Sequence, residues 1–314
     1  MDPLLILIET NGYFTRAQAR DLGWDDRAVG HAMRAGAWHR IRRGYYTYAE
    51  TWAGLGPEQR HIVRARAVMH SLGTDVALSH ASGCAVHEIA MWGIELSRVH
   101  VTRLDGGPGR IEGDVVHHEG FVADHEVVLV DGVQVLVPAR CAVEAASRAT
   151  DEQGLVILDS LLARELSDED GLMRQFEQMA HWPFTRHLHV VVRMADGRSK
   201  SPGESRGRWL FRCSGIPAPV LQYEVHGPDG MLRGTTDWAW PEHGALGEFD
   251  GLVKYSTLLE PGADPGQVVF AEKQREELLC RLSGLPRMVR IIWGDYDRPR
   301  VTAARVRSAL DIAS

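Results

Sequence analysis

Asp237, Glu248, Asp250 and Lys254 have the side-chain types that metal-dependent phosphodiester chemistry requires. Asp237 stands near the end of one β-prone run. Glu248 and Asp250 are two apart in the next run, and alternation therefore puts them on one face. Carboxylates from neighbouring strands can converge on Mg2+, which polarises a phosphodiester and lowers the pKa of an attacking water. A lysine close by can stabilise the developing charge. A second group is basic: Arg27, His31 and Arg34 at i, i+4, i+7, followed by Arg40, Arg42 and Arg43. From Arg27 to Arg43 there are five arginines and no acid, a local charge suited to phosphate contact. A third group is His80, Cys84 and His87, again at i, i+4, i+7, so that one helix could aim all three at one metal. No fourth ligand has helpful spacing, and zinc is not expected there. In a strand, His117 and His118 point to opposite faces and form no single site by themselves.

The basic group needs a scaffold, and the first fifty residues supply one. Asp2 and Pro3 suit a helix start, Leu4, Leu5, Leu7 and Ile8 follow, and Asn11-Gly12 makes a stop. Thr15 and Gln18 fit a capping box opening a second helix to Leu22. Asp25 or Asp26 can cap a third, with Val29, Ala32 and Met33 on one stripe and the basic residues on another. Trp38 to Tyr48 then reads as two β-prone runs hinged at Arg43-Gly44, a wing. A helix with one buried and one basic face suits the major groove of double-stranded DNA.

Residues 51–196 read as a mixed α/β region: helices at 57–72, 79–89, 138–147, 151–165, 168–180 and 185–195, with strands at 98–104, 114–119 and 133–137. The polar run 196–203 is the best second boundary. Beyond it the order is helix, three strands, helix, strand and a closing helix, and Gly284 and Pro286 end the longer helix. Trp209, Trp238, Trp240 and Trp293 are expected to fill the core rather than stack on bases. The expected fold class is thus α+β multidomain. A winged helix-turn-helix occupies 1–50, a mixed α/β domain 51–196, and an αβββαβ domain 197–314.

Bulk properties narrow the classes. The 314 residues carry a net charge of −7, so any nucleic-acid contact must be a local basic surface. Cys84, Cys141, Cys213 and Cys280 are widely separated with no C-x-x-C pair, which fits reduced thiols in the cytoplasm rather than a disulfide framework. The apolar run from Leu4 to Ile8 is too short for a signal peptide or a membrane span. No coiled-coil heptad supplies a dimer.

Two resemblances add expectations. Thr15 to Ala19 and Ile41 to Tyr46 resemble the T-x-x-x-A and L/I-x-R-G-x-Y elements of AbiEi-type antitoxins, and Ser79 to His87 resembles their S-H-x-S-A-A-x-x-H helix, a packing and polar-network element. This implies a DNA-binding autoregulator or antitoxin and a toxin protein as partner. Residues 201–205, 236–240, 247–251, Lys254-Tyr255 and 272–276 resemble the PD-(D/E)xK core of endonucleases akin to very-short-patch-repair enzymes. That likeness implies Asp237 and Glu248 as Mg2+ ligands, Glu204 as an additional acid, and Lys273 or Arg275 as a phosphate or structural contact. Asp250 stands where that core has its lysine, leaving only Lys254 for the role. The expected function is a DNA-binding regulator, with a DNA endonuclease targeted by the winged helix as the alternative. A third reading is a scaffold that neutralises a partner protein.

Overall fold

The computed structural model describes residues 2–251 and 265–312. They fall into two compact units, residues 1–157 with 166–189, and residues 158–165 with 190–314. The stretches read from sequence as separate domains, 1–50 and 51–196, thus share one unit, apart from 158–165 and 190–196.

The first unit begins with helix α1 (Pro3–Asn11), capped by the Asp2 carboxylate on the Leu4 amide and closed at Gly12, whose φ of +84° only glycine adopts cheaply. Helix α2 (Arg16–Asp21) starts from the expected reciprocal cap: the Gln18 amide donates to the Thr15 hydroxyl and the Thr15 amide to the Gln18 side chain. Asp25 caps α3 (Asp26–Arg34). Strand β1 (Phe14–Thr15), missed from sequence because it is two residues long, joins β2 (Trp38–Arg42) and β3 (Tyr45–Tyr48) in an antiparallel sheet of order β1-β3-β2. Leu4, Ile8, Phe14, Ala19, Val29, Ala32, Trp38 and Tyr46 form the core between helices and wing.

Short helix α4 (Ala49–Gly54) leads into α5 (Pro57–Leu72). A second apolar cluster, Tyr13, Tyr45, Val63 and Ala67 with Ile41, Trp52 and Leu55 against it, binds wing to α5. Six strands follow: β4 (Val76–Leu78), β5 (Val99–Arg103), β6 (Arg110–Glu112), β7 (Val115–His118), β8 (Val127–Val130) and β9 (Val133–Leu136). Their order is β6-β7-β5-β4-β9-β8, with β5/β7 and β4/β9 parallel and the other pairs antiparallel. Helix α6 (His80–Val86) packs on α7 (Pro138–Ser147) so closely that a Cβ on Gly83 would collide with Cys141 Sγ. Helix α8 (Asp151–Ala163), whose residues from 158 onward belong to the second unit, and α9 (Glu169–Met179) follow.

In the second unit, β10 (Val220–His226), β11 (Leu232–Trp240), β12 (Ala245–Asp250) and β13 (Arg287–Ile292) form one sheet in that order; only β12/β13 is parallel. Period-2 alternation divides its side chains between two faces. Trp238, Trp240, Phe249, Val289 and Ile291 pack with Leu210 and Phe211 of helix Pro202–Cys213 and with Val306 and Leu310 of helix Pro299–Ala309. Val225, Ala239 and Leu246 pack with Leu279 of helix Pro265–Ser283. Of the four tryptophans expected in the core, Trp238 and Trp240 are buried, and Trp209 and Trp293 are half-buried.

Candidate nucleic-acid interface

Helix α3 turns Val29 and Ala32 inward, so the residues at 27, 31 and 34 point to the other side, and Arg27, His31 and Arg34 are all exposed. The nearest acid on the helix, Asp26, is held by Arg16 at 2.7 Å. That hydrogen bond and the arginine's charge lower the Asp26 carboxyl below its ordinary range. In the wing, Arg40 and Arg43 are exposed. Arg42 differs from its neighbours. The register of β2 on β3 shifts between Arg40 and Arg42, a bulge that breaks the alternation and turns the Arg42 side chain to a new direction. Arg42 lies over the Tyr45 ring at 5.9 Å and donates to Ser71 Oγ at 3.1 Å, at the end of α5. Five of the six basic side chains singled out by sequence are therefore on the open surface. The sixth ties the wing to the helix behind it.

The acids of the second unit are brought together, but with cations among them. Asp237, Glu248 and Asp250 alternate onto the sheet face that carries Ala239 and Leu246, beneath helix Pro265–Ser283. Parallel pairing sets Arg290 beside Glu248, and that arginine ligates Asp250 at 2.8 Å and Glu276 at 3.1 Å, with Glu248 and Glu272 at 3.9 Å. Burial opposes its charge, and the surrounding carboxylates, Asp250 first, outweigh this and raise its pKa. Arg275 reaches down from the helix to Glu248 at 2.8 Å and to the Thr235 carbonyl at 3.3 Å. Asp237 Oδ2 accepts the Phe249 amide across the strands at 2.7 Å.

Two further arginines of this unit, Arg208 and Arg233, do not join these acids. Arg208 instead pairs with buried Asp159 at 2.7 Å, and Arg233 with Asp229. Sequence reasoning missed Arg290, because its place beside Glu248 depends on a parallel pairing that spacing does not reveal.

Glu204, read as an additional acid, is a buried cap. Its carboxylate accepts from Lys200 N at 2.9 Å, Ser201 Oγ at 2.7 Å and Gln222 Nε2 at 3.0 Å at the start of helix Pro202–Cys213. Lys273 is exposed on its helix. Lys254 lies outside the described residues.

His80, Cys84 and His87 do not converge. Cys84 is buried and its thiol is driven up by burial, then by the charge of Glu144. His87 Nε2 donates to the Leu136 carbonyl at 2.8 Å. His80 meets His100 and His118 instead, the latter on the strand face opposite His117. Burial, followed by neighbouring positive charge, holds His80 well below its ordinary value. Burial likewise brings His100 to about 4 and His118 to about 3.

Residues 2–49 match the family described as "Transcriptional regulator, AbiEi antitoxin". Over 236 residues, 74% of this chain and 83% of the relative's, the chain is 27% identical to the uncharacterized protein Rv2248 of Mycobacterium tuberculosis strain H37Rv, and equally to MT2308 of strain CDC 1551. A crystal structure of the RV2827C protein from Mycobacterium tuberculosis aligns with 69% of this chain and 84% of that one, at 14% identity and a TM-score of 0.38. No helix among the described residues is long and apolar enough to cross a membrane. The N-terminal winged helix is thus similar to that of AbiEi-type regulators, and the match ends with the wing.

Proposed function

We propose that the chain is a DNA-binding regulator of the antitoxin type that grips duplex DNA with α3 and the wing. The observation that carries this reading is the winged helix of residues 2–49, with Arg27, His31, Arg34, Arg40 and Arg43 exposed around a closed apolar core. Helix α3 enters the major groove with Arg27, His31 and Arg34, while Arg40 and Arg43 hold phosphates. Autoregulation of its own gene, and neutralisation of a toxin protein by the rest of the chain, complete the reading.

The test is binding of the full chain to duplex from upstream of its own gene, followed by fluorescence anisotropy across a salt series. Arg40→Ala and Arg43→Ala should each weaken binding on all sequences and reduce the salt slope by about 1. Arg27→Ala and Arg34→Ala should weaken binding and relax preference between sequences. Absence of salt-dependent binding by the intact chain would sink the proposal.

The endonuclease alternative assigns Mg2+ to Asp237 and Glu248. The Arg275 guanidinium on Glu248 weighs against it, since an ion there has to displace a hydrogen-bonded cation. Plasmid cleavage with Mg2+ that Asp237→Ala and Glu248→Ala both abolish would restore that reading.

A further inference from the structure

His80, His100 and His118 come from three separate elements to one place. His80 opens α6 with a backbone φ of +50°, a conformation a non-glycine residue keeps only where its surroundings enforce it. His100 on β5 and His118 on β7 lie on one sheet face, because the parallel register sets His100 beside Val116 and Thr102 beside His118. One ring nitrogen from each of the three lies within 4.8 Å of the others. The His80 and His118 rings stack at 3.7 Å, and His100 Nδ1 is 2.9 Å from His118 Nε2. His80 Nδ1 lies 3.2 Å from Glu144 Oε2, and Glu144 is itself held by Arg140 Nε at 3.0 Å. With its Nδ1 proton donated to Ser79 Oγ at 3.0 Å, beside that carboxylate, His80 keeps the Nε2 lone pair available, as outer-shell partners do when they orient metal-binding imidazoles. The three rings open on a cavity of about 560 Å3 flanked by Arg98 and Arg148.

We propose that His80, His100 and His118 bind a divalent transition-metal ion of the zinc class, with the remaining coordination position open to the cavity. Two nitrogens on one tetrahedral ion at ~2.0–2.1 Å stand roughly 3.4 Å apart. The His100–His118 contact is shorter than that, so the two rings share a proton without the ion and part by about half an ångström around it, while His80, stacked on His118 at an interplanar angle of 15°, turns out of the stack to aim its lone pair at the ion. The shared proton moves to the other ring nitrogen, which leaves both rings neutral and both facing lone pairs free. The cavity lining sets Arg98 and Arg148 against the single carboxylate of Glu95, and this positive balance favours an anion or hydroxide in the open position over a second cation. The site stands apart from the DNA-binding reading and does not depend on it.

The experiment is a titration of the metal-stripped full chain with Co2+, read by the visible absorption of tetrahedral cobalt and by competition with Zn2+. One equivalent should bind, at least tenfold more weakly in His100→Ala and in His118→Ala, and unchanged in His125→Ala, a change at an exposed histidine outside the cluster. Should an alanine variant fail to fold by circular dichroism, His118→Gln serves in its place. Zn2+ should raise the melting temperature of the wild type and not that of His118→Gln. A wild type without a stoichiometric cobalt spectrum overturns the site, as does unchanged binding in folded His100 and His118 variants.

Discussion

His61 is fully buried, and its neutral form satisfies a whole chain of donors. Nδ1–H donates to the Leu96 carbonyl, Nε2 accepts from the Ser82 hydroxyl, and Ser82 Oγ accepts the His100 amide. Burial lowers the His61 pKa to about 4, against about 6.5 for a free histidine. The unfolded chain takes up this proton first as pH falls. The contribution is therefore complete above about pH 6.5 and is lost as pH falls toward 4, by on the order of 3 kcal/mol at most. Denaturant melts at pH 7, 6, 5 and 4 should show stability falling across that window, with a shallower fall in His61→Gln; equal slopes in the two proteins would refute the assignment. The residues behave differently with respect to sequence. Ser82 and His61 are twenty-one positions apart, and no spacing rule joins them. The Thr15–Gln18 cap was legible because both partners lie within one helical turn.

Elements were legible where their signals are local. The caps of α1 and α2, the full extent of α5 and α7, and strands β11 and β12 follow from proline, glycine, capping residues and alternation. Strands β4, β6 and β8 escaped notice because three or four residues are too few to show a period, and β6 is exposed along its length. Packing between elements was not legible at all. Nothing in the spacing of residues 79–89 marks Gly83, yet it is a point where α6 touches α7. A methyl group at Gly83 must displace Cys141, and Gly83→Ala is expected to destabilise by about 1–3 kcal/mol, or more if the helices cannot part. Chemical denaturation measures this. A variant as stable as the wild type would mean that the two helices yield easily there.

At the scale of the molecule, contacts and sequence divide the chain differently. Composition marks a boundary near residue 196, whereas contacts assign 158–165 to the second unit. The reason lies in Asp159, which is buried against Arg208 and accepts the Asp196 amide at 2.8 Å. Burial raises Asp159 to about 6 even with Arg208 beside it. Removing either partner alone leaves a buried charge without its counterpart. Asp159→Ala or Arg208→Ala should therefore cost about 3–5 kcal/mol, while replacing both with apolar residues of similar volume should recover much of the loss. Thermal melts of the two single variants and the double variant decide this, and simple additivity in the double would refute a paired role.

The apolar seam between wing and α5, with Arg42 on Ser71 and Tyr45 Oη 2.8 Å from His70 Nδ1, also bears on whether the winged helix can stand alone. Cut away, it would expose Tyr13 and Tyr45 to water and leave its own hairpin without backing. Thermolysin acting on the native chain should accumulate no stable fragment ending between residues 49 and 57. On the proposed reading, a ligand that shifted α5 would, through this seam, change how the winged helix holds DNA.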